Sequence, residues 1–251
     1  MMGSLRAQVR SEFRKVRTTR TAGGLLAGVV ALTLLASWGA MSDMSVTGLG
    51  AGLAAVVPAI GILYVVTVFV LVMAVRSYTD EHRHGSVVPT LLADPARRRI
   101  VVAKVIVMAA CSVVFTLTAL TVGAGFTAVW IVAKGATLSV AWGSLAAIAG
   151  KGVLIGVLWS VLGVGIGVAV QHQVAAIVGT LMWLLVAESL LGGFLPAVAK
   201  YLPAHAADAV LGATGGDPVL LAPAIGGLLL AGWAAISAGV GTTLFERRDV
   251  A

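Results

Sequence analysis

The sequence holds little charge for its length, and this shortage sets the class of protein. Charged residues make up 11% of the 251 residues, whereas hydrophobic residues make up 59%. Soluble domains carry about 25% charged residues, so a soluble fold of this size would lack the polar surface to cover its exterior. A bilayer removes that need. At about 20 residues per span, the chain has room for six or seven membrane helices and leaves none for a soluble domain.

Cysteine and the common catalytic motifs are also scarce. The single cysteine, Cys111, excludes an intrachain disulfide and has no Cys or His neighbours at metal-ligand spacing. The phosphate-binding pattern G-x-x-x-x-G-K-[ST] is absent, since its nearest approach, Gly150-Lys151, is followed by Gly152. No His-rich or Cys-rich metal set and no convergent Ser/His/Asp set is visible. We therefore expect a chain that is not an enzyme and binds no cofactor or metal itself.

Long apolar runs fill most of the chain. They predict an all-α polytopic membrane protein, with residues 1–251 forming one transmembrane domain. Lys104 lies at the cytoplasmic end of the third run, from which it can snorkel to the interface. The six predicted spans cover residues 22–41, 51–75, 100–132, 151–170, 174–194 and 219–244.

The net charge of +7 is distributed unevenly along the chain. Fourteen of the 17 basic residues lie in the N-terminal segment, in residues 76–104 and in the C-terminal tail. These segments lack the aromatic interleaving of a nucleic-acid site, so no nucleic-acid partner is expected. Since Lys and Arg concentrate in cytoplasmic loops, the pattern predicts a multi-pass protein of the cell membrane with both termini in the cytoplasm. The three remaining basic residues, on the other side, are Lys134, Lys151 and Lys200.

The polar segments carry their own patterns. Residues 4–20 place apolar side chains on one stripe of a basic helix, which predicts an amphipathic helix lying against membrane lipids. Residues 80–98 form a polar loop around a short amphipathic helix, with Ser86 as a plausible N-cap. Residues 195–218 are too polar to span and are expected to cover the outer surface before the last span. The N-terminal stripe consists of Leu5, Val9, Phe13 and Val16.

Glu188 is the one acidic residue that stands out inside a predicted span. An intramembrane carboxylate faces a protein interior or a cavity by default, which makes Glu188 a candidate for a substrate path. The structural alternative, in which it snorkels or pairs with Lys151 or Lys200, stays open. The fourth span carries small-x-x-x-small pairs that permit close packing, within the subunit or across a dimer. These pairs are Gly152 with Gly156 and Gly163 with Gly167, with Gly165 beside the second.

Four of these features together resemble bacterial permease subunits of type 2 ABC transporters, the drug, antibiotic and polysaccharide exporters. The resemblance covers essentially the full length. Its features are the basic N-terminal helix with Phe13, the segment 80–86 (similar to the family's E-x-R-x-G-[ST] entry to a coupling helix), the basic turn 95–99 followed by Lys104, and Glu188 with Tyr201-Leu202-Pro203 downstream.

The resemblance implies a subunit of six spans like those of type V ABC exporters, paired with a second copy or a related permease. It implies two ATPase subunits that hold ATP and Mg²⁺ and drive export of a drug-like, antibiotic or lipid-like substrate from a bacterium. Such permeases often carry a basic residue between spans four and five, where this chain has Gln171-His172-Gln173, so a second coupling contact stays open. The residues implied to couple to the ATPase are Glu81, Arg83, Gly85, Ser86, Val87, Val88, Leu91 and Leu92.

Two other classes remain as alternatives. A stand-alone secondary transporter or channel would need more intramembrane polar residues, or internal repeats, than the sequence displays. The other class is a membrane-embedded enzyme or an assembly scaffold. The enzyme would need a clustered catalytic set, which the sequence does not display.

Overall fold

The computed structural model describes residues 5–42, 51–83, 96–212 and 221–247, with the backbone alone for 51–58. Every regular element in these ranges is helical, which confirms the all-α fold. The helices are α1 Leu5–Thr18, α2 Arg20–Ser42, α3 Ala51–Arg83, α4 Arg97–Ala133, α5 Trp142–Val170, α6 Gln173–Phe194, α7 Pro196–Ala199, α8 Pro203–Leu211 and α9 Pro223–Arg247.

Six of these helices are long and apolar enough to cross a membrane, namely α2, α3, α4, α5, α6 and α9. In hydrocarbon every backbone N–H and C=O must be bonded within the protein, and a helix achieves this within one segment. The predicted count of six spans is confirmed, and the chain is a polytopic membrane protein.

Helix α5 lies at the centre and packs against α3, α4 and α9. Its glycines let neighbouring backbones approach closely. A Cβ built on Gly167 would lie 2.5 Å from the Val75 carbonyl oxygen, and one on Gly163 would lie 2.8 Å from the Ala74 Cβ. Gly152 and Gly156 face side chains of α3 and α4 in the same way. In the structure these four glycines therefore pack spans of one chain together.

Some helices extend beyond the spans that the sequence predicts. Helix α3 continues past Arg76 to Arg83, and α5 begins at Trp142 rather than near residue 151. Helix α4 has 37 residues, or about 55 Å at the α-helical rise, against about 30 Å of hydrocarbon. Charged residues thus lie on regular helix at the ends of the apolar spans, where the helices fix their positions relative to one another.

The two ends of the bundle differ in charge. We call the end that carries α1, the last turns of α3, the start of α4 and the last turn of α9 the basic end. The opposite end carries α7, α8 and the connection between α4 and α5. The predicted helix of the coupling loop lies outside the described residues, together with Gly85, Ser86, Val87, Val88, Leu91 and Leu92.

Helix α1 matches the predicted N-terminal helix and packs against α4 and α2. Two residues of its apolar stripe, Val9 and Val16, pack on the core of the bundle. The other two, Leu5 and Phe13, stay exposed. The helix therefore presents apolar side chains both to the bundle and to its surroundings.

Candidate functional site

Four charged side chains meet at the basic end, and we call this group the ion cluster: Glu12, Lys15, Glu81 and Lys104. The Lys104 ammonium donates to Glu12 Oε2 at 2.8 Å, to Glu81 Oε1 at 2.7 Å and to the Ser77 carbonyl oxygen at 2.9 Å. These three bonds use all three hydrogens of the ammonium. Lys15 donates to Glu12 Oε1 at 2.6 Å and to Glu81 Oε1 at 2.7 Å.

Burial makes the ion cluster a strong connection, or joint, between the helices that contribute to it. The Lys104 side chain is 0% exposed and that of Glu12 is 5% exposed, so the interpretation that Lys104 snorkels to the interface is wrong. Removing one partner of a buried pair leaves an uncompensated charge and costs far more than breaking a surface pair. The cluster therefore holds α1, α3 and α4 together where Glu12, Glu81 and Lys104 lie.

The pKa values of Glu12 and Lys15 in α1 depend on burial and on the ion pairs, which act in opposite directions. Burial alone would raise the pKa of the Glu12 carboxyl, but the charges and hydrogen bonds of Lys104 and Lys15 outweigh it and lower that pKa. Burial alone would lower the pKa of the Lys15 ammonium, but its hydrogen bonds to Glu12 and Glu81 raise it. Both groups are thus held in their charged forms.

The turn between α5 and α6 joins the end of α3 through an amide. Gln173 Nε2 donates to Asp80 Oδ1 at 2.6 Å, and Gln173 Oε1 accepts from Arg83 Nη1 at 3.0 Å. Asp80 also accepts from Arg76 at 3.0 Å. An amide can donate and accept at once, so this contact needs no basic residue in the turn. The sequence could not assign this role to Gln173, because its partners lie far away along the chain.

The start of α4 is joined to the end of α9. Arg97 donates to the Phe245 carbonyl oxygen, and its guanidinium lies 5.3 Å from the centroid of the Phe245 ring. Arg98 Nε lies 2.6 Å from Glu246 Oε1. Tyr78 of α3 packs edge-on against the same phenyl ring, with 5.4 Å between centroids. Both flanks of residues 84–95 are therefore bonded to other helices of the bundle.

At the opposite end, the Glu188 carboxyl is buried but only partly bonded. Its side chain is 1% exposed, and Oε2 accepts from the Ala204 backbone N–H at 2.8 Å. The Trp183 side chain interacts with the same carboxyl, but Oε1 makes no hydrogen bond of normal geometry within the described residues. Glu188 thus has spare accepting capacity at a buried position.

The two lysines considered as partners of Glu188 have other contacts. Lys151 donates to the Leu211 carbonyl oxygen at 3.1 Å, and the Lys200 ammonium lies 5.1 Å from the centroid of the Tyr201 ring. Glu188 is therefore satisfied in part by a backbone amide near the start of α8.

A π-helical turn, Trp183–Ala187, interrupts α6 directly before Glu188. Such turns occur mostly as single insertions in α-helices and frequently lie at functional sites. Because the turn changes the angular spacing of side chains, it sets the direction in which Glu188 projects.

Glu188 lines a cavity of 310 Å³ between α3, α5, α6 and α8. Tyr64 donates to Asp208 Oδ1 at 2.5 Å on its wall, and His205 Nδ1 lies 3.9 Å from Glu188 Oε2. Burial raises the pKa of the Asp208 carboxyl, although the Tyr64 hydrogen bond and the proximity of His205 act against it. The cavity therefore combines a few polar side chains with a mainly apolar lining, as ligand sites do.

An apolar cleft of 470 Å³ lies between α5, α6 and α9. Trp159, Trp183 and Trp233 contribute to its walls, and Trp159 and Leu184 also line the cavity at Glu188. The cleft and the cavity are thus neighbours that share two wall residues.

The sequence-predicted residues fall into distinct groups. Glu81 lies in the ion cluster and Arg83 contacts Gln173, so both are bonded within the chain. Glu188 lies at the opposite end. Sequence reasoning missed Glu12 as a partner of Lys104, and the signal was the occurrence of one acidic residue in a basic helix. In the described ranges, no three His, Cys, Asp or Glu side chains group as metal ligands do.

Six candidate membrane helices packed around a central glycine-rich span define a multi-span membrane protein. The sequence model for the ABC-2 family transporter proteins matches residues 8–196, which is most of the chain. The chain belongs to this family and is a permease of the ABC transporter type. This confirms the resemblance drawn from the motifs. No curated protein matches the sequence.

Family membership also fixes the general role. The chain is a transport membrane component, and its family implies a partnership with an ABC ATPase.

Proposed function

We propose that the chain is the membrane-spanning subunit of an ATP-driven exporter, and that a separate ATPase binds it at the basic end. The ion cluster carries the proposal. A subunit moved by a partner must pass a displacement of one segment on to several membrane helices. Exposed ion pairs contribute little energy and would break under such a displacement. The buried ion cluster resists separation of the helices that it connects.

Residues 84–95 would be the segment that the ATPase moves. Glu81 precedes this segment and is bonded to Lys15 and Lys104. Arg97 follows it and is bonded to the end of α9. A push on the segment would thus reach α1, α4, α6 and α9 through side chains already bonded. In this scheme Glu81 and Arg83 hold the segment in place, and the apolar residues Val87, Val88, Leu91 and Leu92 would enter a groove of the ATPase.

The finer parts of the proposal follow from the family and the charge pattern. Two ATPase subunits would hold ATP and Mg²⁺, and two copies of this chain, or this chain and a related permease, would form the path. The basic end would face the cytoplasm of a bacterium, with both termini inside. The cargo would be a drug-like, antibiotic or lipid-like molecule, moved outward across the plasma membrane.

The test uses a reporter at the end far from the ATPase. The tagged full chain is purified from its native membranes with the ATPase it retains, and Tyr201→Cys in a Cys111→Ser background reports accessibility to a thiol reagent. We expect ATP to change the labelling rate, Lys104→Met to abolish that change while the ATPase stays bound, and Lys134→Met to retain it. Lys134 is a matched control because it lies at the other end of α4.

Two results would count against the proposal. One is a purified chain that retains no ATPase; the other is a labelling rate that ignores ATP in the unmodified protein. Transport driven by an ion gradient without ATP would favour the stand-alone transporter instead. The same preparation therefore separates the leading function from its main alternative.

A further inference from the structure

We infer that the cavity at Glu188 binds the cationic head of an amphiphile, an ammonium or guanidinium group, while its apolar tail lies in the neighbouring cleft. This deepens the proposed function, on which it rests for the fate of the ligand. The inference itself stands on three features of the opposite end: an unpaired acceptor, the sign of the charge around it, and the adjoining apolar space.

The first feature is the spare oxygen of Glu188. The residue lines the cavity and is 1% exposed, yet Oε1 lacks a hydrogen bond of normal geometry within the described residues. Burying a carboxylate that is only partly bonded is costly, and a bound cation supplies a further partner. The unpaired acceptor therefore favours a ligand that brings positive charge and hydrogen-bond donors.

The second feature is the charge of the lining. Two carboxyl groups, those of Glu188 and Asp208, lie on it with His205, and no Lys or Arg is present among the described residues that line it. The nearby Lys151 is engaged with the Leu211 carbonyl oxygen. An anionic head would meet carboxyl oxygens that cannot neutralise it, whereas a cationic head meets acceptor oxygens of the complementary sign.

The third feature is the aromatic and apolar space beside the carboxyls. Tyr64 and Trp159 line the cavity, and aromatic faces attract ammonium and guanidinium groups. The neighbouring cleft offers 470 Å³ lined mainly by apolar side chains. Since Trp159 and Leu184 line both spaces, one molecule with a charged head and an apolar tail can use them together.

The experiment compares two probes that differ by one trimethylammonium group. Trimethylammonium-diphenylhexatriene and uncharged diphenylhexatriene are titrated onto the full chain in nanodiscs of neutral lipid. Energy transfer from the six tryptophans reports binding, because three of them, Trp159, Trp183 and Trp233, line the cleft, and excess dodecyltrimethylammonium defines the saturable part. We expect saturable transfer for the charged probe only, weakened about tenfold by Glu188→Gln, because the amide lacks the negative charge that attracts the quaternary ammonium.

Two variants complete the design. Glu188→Asp keeps the charge and should bind the charged probe better than Glu188→Gln does. Glu246→Gln removes a carboxylate at the basic end and should leave binding unchanged. Equal affinity of the two probes for the unmodified protein would overturn the inference, and this comparison stands even where Glu188→Gln fails to fold. Unchanged binding of the charged probe by a folded Glu188→Gln protein would also overturn the inference.

This assay contains no ATPase and no ATP. A chain that binds the charged probe but retains no ATPase would contradict the proposed function alone. A chain that responds to ATP but does not distinguish the probes would contradict the present inference alone.

Discussion

The basic end and the opposite end both bury acidic side chains, but they satisfy them differently. At the basic end, Glu12 and Glu81 share two lysines, and Lys104 uses every donor it has. At the opposite end, Glu188 has one backbone donor and a second oxygen without a hydrogen bond of normal geometry in the described residues. The first arrangement is complete within the chain, and the second leaves room for a further partner.

This difference separates a joint from a binding site. A fully bonded cluster resists change, because moving any member leaves another buried charge unpaired. A partly bonded carboxyl beside a cavity keeps accepting capacity that a ligand can use. The same residue type, glutamate, thus serves rigidity at one end of the bundle and recognition at the other.

The largest effect is expected at Lys104. Replacing it with Met leaves Glu12 and Glu81 with Lys15 as their shared cation, and we expect the unfolding free energy to fall by about 3 kcal/mol. Denaturant unfolding in detergent, followed by tryptophan fluorescence, measures the loss. Lys134→Met should change it by less than about 0.5 kcal/mol, because its ammonium lies over the Trp130 ring rather than in a buried pair.

A triple variant sharpens this prediction. Glu12→Gln and Glu81→Gln added to Lys104→Met remove the buried charges together, so much of the lost stability should return. If the triple variant is as unstable as the sum of the single changes, the joint does not work through charge pairing.

A smaller effect is expected at the packing that connects the two ends. Gly167→Ala would place a Cβ 2.5 Å from the Val75 carbonyl oxygen, and overpacking against backbone costs about 1–3 kcal/mol. Gly150→Ala is the matched control on the same helix, since nothing lies within 4 Å of its Cβ position. Thermal unfolding should rank the two variants, and equal stability would show that α5 is free to shift.

Acid should release α1 before the rest of the bundle. The lowered pKa of Glu12 means that its stabilising contribution is present above its usual value of 4.5 and is lost as the pH falls through the lower folded value. Lys15 has a raised pKa, so its contribution is present below 10.5 and is lost only at more alkaline pH. Between these limits the docking of α1 should not depend on pH.

An environment-sensitive dye at Phe13→Cys, in a Cys111→Ser background, reports this release. Its emission should stay constant through neutral pH and shift below about pH 4.5. Lys104→Met should move the shift to higher pH, because Lys104 is the main group lowering the pKa of Glu12. A shift already complete near pH 6 in the unmodified chain would contradict the cluster.

The smallest effect on stability is expected at Glu188. Changing it to Gln removes the cost of burying a partly bonded carboxyl and keeps an acceptor for the Ala204 N–H, so the unfolding free energy should change by less than about 1 kcal/mol. The same unfolding assay applies. A loss as large as that of Lys104→Met would erase the distinction between the two ends.

Much of the fold could be predicted because it depends on composition and period. Apolar runs indicate spans whatever their neighbours are, so six spans and the basic N-terminal helix follow from local sequence. The boundaries were less accurate. Polar residues from Arg76 to Arg83 indicate a loop by composition, but they stay helical because Glu81, Asp80 and Arg83 find partners on other helices.

The site was harder to predict because its partners are distant in sequence. Lys104 at the end of an apolar run reads as a snorkelling residue, and only the fold brings Glu12 to it across 92 residues. Gln173 shows the same limit, since a polar turn residue gives no local sign of bonding to Asp80. Glu188 was recognisable as a buried carboxyl, but its cavity arises from four helices that no local pattern joins.

The π-helical turn of α6 makes the length of this span unusually tolerant at one place. An α-helix advances each residue by about 100°, so deleting a residue elsewhere between Gln173 and Glu188 would rotate the carboxyl away from its cavity. A π turn holds one residue more than the α-helical turn it replaces. Deleting one residue within Trp183–Ala187 would therefore restore a continuous α-helix and keep Glu188 on its original face, which makes this turn the natural site of insertion and deletion in the span.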